Sequence, residues 1–253
     1  QVVVIKSLFS KFGKVTVFRL PRWSPSGFLH TLLTLYNPFL VRDFDKIVAK
    51  VNPDIIHFHN IHQSLCFCLL SRAKKVAKGV FLTTHDVMLF TYGKLIGYTS
   101  YKVSLWDQLT KFKLTYNPFR NLAIKYYLSF VDRIFPVSHE LKKALGQNGI
   151  FNCQVIHNGV DLTFWHPKFF PVNENTIFFG GRVSVAKGSH QAIQALKEVV
   201  LEIPAARLLV AGDPQSCASM IKLARQLGIG EHIQLLGWLD KKQMKAVYQS
   251  SSL

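Results

Sequence analysis

Asn158-Gly159-Val160-Asp161, then Gly180-Gly181-Arg182 and, five residues past the arginine, Lys187-Gly188 decide how this chain folds. Beyond them strands and helices alternate cleanly: strand 176–179, helix 189–201, strand 207–211, helix 216–227, strand 232–236, helix 240–248. That spacing makes parallel βαβ units and a Rossmann-like sheet. Each strand ends in glycine, at Gly180-Gly181, Gly212 and Gly237, where a ligand can come close to the backbone. Arg182 and Lys187 share the first of these loops, ahead of a helix amino terminus. A planar guanidinium fork and a mobile ammonium there suit phosphate oxygens. A lone Lys-Gly would read as solvated loop; Gly-Gly-Arg followed by Lys-Gly between strand and helix is more specific.

Before Asn158 the same kind of reading gives a second strand-and-helix half. Residues 155–157 read as its last strand, and Asn158-Gly159 permits a left-handed turn with a side-chain amide to offer, although an ordinary turn suits the pair equally. Ser138 caps a helix over 139–146 with Glu140 in its first turn, after a strand within 131–137. Residues 80–84 form a strand with His85-Asp86 at its carboxyl end, where a histidine can meet a bound hydroxyl or merely satisfy the backbone. Residues 55–60 read as a buried strand ending in His59 and Asn60. His57 and His59 share one of its faces and His62 follows, but no acid or cysteine is spaced to complete a metal site, so no metal is expected.

The remaining elements of this half are a helix over 65–78 capped by Gly79, an apolar helix over 28–41 interrupted at Asn37-Pro38, and strands over 1–5 and 14–20. The apolar helix reads as core in preference to a membrane-surface element. A helix over 43–51 carries Phe44, Ile47, Val48 and Val51 on one face and stops at Asn52-Pro53. The divisions are a first domain over 1–165, a linker over 166–175 and a second domain over 176–253.

With 253 residues, 49% hydrophobic and 18% charged, the chain has core material for two domains and is not a disordered one. Its 31 Lys+Arg against 14 Asp+Glu leave +17, which favours anionic partners: nucleic acid, acidic lipid or phosphorylated small molecules. Cys66, Cys68, Cys153 and Cys217 lack metal or redox spacing and read as buried thiols of a cytoplasmic protein. No secretory pattern leads the chain, and no apolar run reaches the ~18 residues that span a bilayer. Residues 90–133 are aromatic and basic, fit either for anionic lipid at the inner membrane face or for a core whose lysines are solvated.

Taken together, Pro53-Asp54-Ile55-Ile56-His57-Phe58-His59-Asn60, Thr84-His85-Asp86, Val155-Ile156-His157-Asn158-Gly159-Val160-Asp161, Gly181-Arg182 and Lys187-Gly188 resemble a family 4 glycosyltransferase. The resemblance implies the GT-B fold, an α/β architecture of two Rossmann-like domains with parallel sheets and flanking helices. It also implies retaining transfer of a sugar from a nucleotide-sugar donor to a glycan or lipid-linked acceptor, with no metal or other cofactor and no nucleic acid. Arg182 and Lys187 would hold the diphosphate, His85 would touch the donor sugar, and Gly181, Gly212, Gly237, Trp238 and Asn158 would complete the donor site. His59, Asn60 and Asp86 would lie on the acceptor side. The family's glycine-rich loop does not precede Val15 and its Glu-x7-Glu motif does not precede Leu253, so the chain reads as truncated at both ends with both domains incomplete. Two alternatives stand beside this: a different GT-B enzyme such as a sugar-nucleotide epimerase, and a non-catalytic protein binding anions or nucleic acid.

Overall fold

The computed structural model describes residues 3–10, 13–20, 28–91, 100–112, 118–166 and 174–253. Most of the linker at 166–175 lies outside them, as do Tyr92, Lys94, Tyr98, Lys113 and Tyr116 of the aromatic, basic stretch. The chain divides into two compact units, Gln1–Asn158 and Gly159–Leu253. This border precedes the division at 165 read from the sequence. Phe164 and Trp165 belong to the second unit by their packing, the indole standing edge-on to Tyr248 at 5.9 Å.

In the first unit, β1 (Val3–Ser10) and β2 (Gly13–Arg19) form an antiparallel hairpin. Strands β3 (Ile55–His59), β4 (Gly79–Thr84) and β5 (Arg133–Pro136) make a parallel sheet in the order β3-β4-β5. The central strand is the buried one, with Val80, Leu82, Thr83 and Thr84 shielded, whereas at the edge β3 buries only Phe58. The expectation of a buried strand at 55–60 is therefore corrected: its other face carries His57, which meets Phe81 and Phe135 edge-on.

Helix α1 spans Phe28–Leu35 and α2 spans Pro38–Val51. Asn37-Pro38 does not interrupt a helix; it starts one. Asn37 Oδ1 accepts from the Phe39 and Leu40 amides at 3.1 and 3.2 Å, and proline at the first helical position gives up an amide that had no partner there. The buried side of α2 runs through Leu40, Asp43 and Val48, so Val51 falls outside the face expected for it and is exposed. Asn52, left-handed at φ 47°, closes the helix. The helix expected over 65–78 is shorter, α4 (Cys68–Lys74), and a separate single turn, α3 (Ile61–Ser64), precedes it. Between them Leu65 is extended and the Phe67 amide turns to the Thr34 carbonyl at 2.8 Å, seating Phe67 in the core. Gly79 opens β4 and caps nothing.

Helices α5 (Leu105–Phe112), α6 (Pro118–Leu128) and α7 (His139–Gln147) complete this unit. Ser138 Oγ accepts from the Leu141 amide at 3.1 Å, the cap its position promised. Residues 155–157 form no regular strand. That segment follows β5 through one bridge at Cys153 and an Ile156 amide bonded to the Pro136 carbonyl.

The second unit follows its sequence pattern closely: β6 (Thr176–Gly180), α8 (Ser189–Glu202), β7 (Arg207–Ala211), α9 (Pro214–Gln226), β8 (Ile233–Gly237) and α10 (Lys241–Ser250). Its strands are parallel in the order β6-β7-β8. Asp213 caps α9, and Asp240 caps α10 in a capping box with Gln243. Ile193, Leu196, Leu208, Val210 and Met220 form the core between sheet and helices. Among the described residues no helix is long and apolar enough to cross a membrane.

Candidate functional site

At the carboxyl ends of β6, β7 and β8 the second unit has a cavity of about 450 Å³. It is lined by Gly181, Arg182, Ala211, Gly212, Asp213, Ser216, Trp238, Leu239 and Met244. Parallel strands bring three loops to one edge, so residues far apart in sequence meet there. Gly181 has φ 122°, a conformation that a side chain would strain. At Gly212 an added Cβ would come within 2.9 Å of Val183, and its amide bonds the Gly237 carbonyl at 2.9 Å. Glycine at 212 thus keeps a packed cavity wall free of a side chain.

Of the expected donor residues, Gly181, Arg182, Gly212 and Trp238 line this cavity. Gly237 turns the chain behind it at φ 70°. Lys187 ends a single 3-10 turn, Val185–Lys187, and is exposed. Asn158 and Gly159 are exposed and keep negative φ, so the left-handed turn allowed by Asn-Gly is not used. Asp213, Ser216, Leu239 and Met244 were not singled out from the sequence. Asp213-Pro214 directly after a strand-ending glycine was the available signal, because that is where a helix cap faces the sheet edge.

In the first unit the carboxyl ends of β3 and β4 gather a row of imidazoles. His57 and His59 lie 4.5 Å apart between ring centres, and His59 and His85 lie 5.7 Å apart with Nδ1 and Nε2 at 3.4 Å. His57 Nε2 is hydrogen-bonded to Thr83 Oγ1 at 2.8 Å. Behind His85, Asp86 faces the buried His62, with Oδ2 to Nε2 at 3.3 Å, and accepts from the Met88 amide at 3.0 Å. Burial raises the Asp86 pKa, but the His62 and Met88 hydrogen bonds and the nearby imidazoles outweigh it, and the carboxyl titrates below its ordinary value. Asn60, left-handed at φ 45°, has a buried Oδ1 with no hydrogen-bond partner. Among the described residues no group of three or more His, Cys, Asp or Glu is placed to hold a metal ion.

His57 and His59 both titrate below 6.5, first because burial disfavours the cation and second because a neighbouring imidazole repels it. An imidazole whose folded pKa is depressed is protonated more readily in the unfolded chain, so its stabilising contribution is complete above 6.5 and is lost as pH falls through the folded value. We expect the melting temperature to drop from about pH 7 to about pH 5, and the drop to shrink in the His57→Gln/His59→Gln variant. Thermal scans across that range, read by circular dichroism, make the comparison.

The sequence profile of Glycosyltransferase Family 4 matches residues 3–164, and that of Glycosyl transferases group 1 matches residues 163–253. An uncharacterized 42.6 kDa protein in the cps region of Klebsiella pneumoniae is 26% identical over 229 residues, covering 84% of this chain and 54% of that protein. A phosphatidylinositol N-acetylglucosaminyltransferase subunit of Arabidopsis thaliana is 22% identical over 241 residues, covering 93% of this chain and 48% of that protein. The chain thus spans about half the length of the curated relatives it matches. A glycosyltransferase from Rickettsia africae superposes with a TM-score of 0.56 at 19% identity, over 85% of this chain and 55% of that one. HepE of Anabaena, solved with UDP and glucose, superposes at 0.54 and 18% identity, over 83% and 54%. These likenesses show the fold, Rossmann-like units of the GT-B architecture. Matched by that family's profile over more than half its length, the chain belongs to Glycosyltransferase Family 4.

Proposed function

We propose that this protein transfers a sugar from a nucleotide-sugar donor to an acceptor hydroxyl with retention, in the synthesis of a cell-surface glycan or glycolipid. The observation that carries the reading is the cavity of the second unit, where an arginine fork, glycine backbone and a tryptophan meet at the ends of three parallel strands. Solved neighbours hold UDP with glucose and UDP with GlcNAc, which supports a nucleotide-sugar donor.

In this reading Arg182 and Lys187 take the diphosphate, while Gly181, Gly212, Gly237, Trp238 and Asn158 shape the rest of the donor site. The bond from the sugar's anomeric carbon to the diphosphate oxygen breaks with its electron pair leaving on the phosphate. The acceptor oxygen then bonds the same carbon and passes its proton to the departing diphosphate oxygen. The two cations stabilise the growing negative charge without a metal. His85 contacts the donor sugar, and His59, Asn60 and Asp86 receive the glycan or lipid-linked acceptor. The reaction is assigned to the cytoplasm, at the inner face of the membrane.

Titration calorimetry with a panel of nucleotide sugars, followed by product analysis with nuclear magnetic resonance, tests this. We expect one donor to bind and the product to share its anomeric configuration. Salt-sensitive nucleic-acid binding with no nucleotide-sugar binding would replace the enzyme reading with that of an anion-binding protein.

A further inference from the structure

His62 has no part in the reaction as described above, yet it is held against a residue that does. It lies in α3, the single turn after β3, and its neighbour Ile61 is anchored in the core at 1% exposure. The imidazole is buried, and its Nε2 stands 3.3 Å from Asp86 Oδ2 on the loop after β4. Asp86 titrates below its ordinary value and is ionised at neutral pH, so it has no proton to give. The proton between them therefore sits on His62 Nε2, which fixes the tautomer of that ring. Asp86 Oδ1 accepts from the Met88 amide at 3.0 Å, and the Asp86 carbonyl accepts from the buried Thr84 hydroxyl at 2.8 Å. These bonds use two of the roughly four lone-pair sites of the carboxylate, and its side chain is still 36% exposed.

An apolar side chain would fill the place of His62 with no polar atom to satisfy. What the imidazole adds is one directed donor, and that donor is spent on the residue next to His85. The segments that follow β3 and β4 are thus joined twice, by the His59–His85 contact at 3.4 Å and by His62 to Asp86. Further along the same loop, Arg120 Nη2 holds the Met88 carbonyl at 2.7 Å. With Thr84 and Arg120 fixing its backbone on either side, the carboxylate of Asp86 is the group whose direction His62 decides. We propose that His62 is a positioning residue for the transfer: it orients the Asp86 carboxylate to accept from an acceptor hydroxyl and steadies the backbone that carries His85. The proposal rests on the reading given above, in which Asp86 serves the acceptor and His85 the donor sugar. A bond that holds the carboxylate before the acceptor arrives removes an ordering cost from the bound complex.

The test compares wild type with His62→Leu, which fills the space without a donor, and His62→Gln, whose Nε2 can donate in place of the imidazole. Long-range hydrogen–nitrogen correlation spectra of the imidazoles should show His62 of wild type as the Nε2–H tautomer at neutral pH, with a signal that moves in Asp86→Ala. Hydrogen exchange at the Met88 amide should be roughly tenfold faster in His62→Leu, unchanged along β4, and close to wild type in His62→Gln. In product formation, KM for the acceptor should rise roughly tenfold in His62→Leu while KM for the donor holds, and His62→Gln should restore most of the loss. Nucleoside diphosphate affinity should be that of wild type in both variants. His62 in the Nδ1–H tautomer overturns the proposal, as do His62→Leu and His62→Gln behaving alike in exchange. An acceptor KM in His62→Leu equal to that of wild type overturns it too. The tautomer is read on wild type and decides even where His62→Leu does not fold. Wild type that forms no product with any nucleotide sugar counts against the transferase reading, and the spectra and the exchange comparison then still decide whether His62 orients Asp86.

Discussion

Replacing Arg182 with alanine is expected to weaken nucleoside diphosphate binding by roughly 30- to 150-fold, the loss of about 2–3 kcal/mol that one charge-assisted fork contributes. The effect is expected to concentrate at Arg182, because it lines the cavity beside Gly181. Lys187 sits a short helical turn further on and is not among the cavity's lining residues, so Lys187→Ala should cost less. A flexible ammonium loses more freedom for each hydrogen bond it forms than a planar guanidinium fork does. Calorimetry on the two folded variants separates the contributions. Equal affinity in Arg182→Ala and wild type removes Arg182 from the donor site.

The second large effect is on stability. The guanidinium of Arg120 is buried in the first unit, donating from Nη2 to the Met88 carbonyl at 2.7 Å and from Nη1 to the Thr91 carbonyl at 3.2 Å and Asn121 Oδ1 at 3.1 Å. It ties α6 to the loop that follows β4, the loop that carries His85 and Asp86. Arg120→Ala leaves those acceptors without a donor and opens a void, and a loss of about 3 kcal/mol is expected. For a chain of this size that corresponds to a melting temperature lower by roughly 6–12 °C. Arg120→Lys, which keeps the charge but not the fork, should fall between the two. A melting temperature within a degree or so of wild type would mean that the carbonyls find water or other partners.

The second unit was legible nearly element by element because two local signals agree there. Strands of five residues alternate with helices of ten or more, and each strand carries a glycine at its carboxyl end. The first unit was harder where tertiary contacts overrule local pattern. Residues 65–78 have a helical run of apolar residues, yet Phe67 gains more by entering the core, and its amide leaves the helix for Thr34. Asn37-Pro38 looked like a break because proline ends helices, but asparagine before it supplies the cap that makes proline a start. At α5 and α6 the aromatic and basic residues were visible, but not which way they face. That depended on Arg120 and Asn121 finding backbone carbonyls inside.

In the candidate site, glycine and arginine were legible because strand ends and phosphate chemistry demand them. Asp213, Ser216, Leu239 and Met244 were not, since they enter the cavity only once three loops are side by side. The imidazole row behaves similarly: the strand period put His57 and His59 on one face, but the approach of His85 needed the parallel register of β3 and β4.

The central claim is that the cavity at the strand ends of the second unit receives the diphosphate and base of a nucleotide sugar. Hydrogen–deuterium exchange with and without a saturating nucleoside diphosphate tests it most directly. Protection of the amides at 181–182, 212–216 and 238–239 is the predicted result. Protection confined to other segments, or none at a concentration where calorimetry records binding, would contradict it.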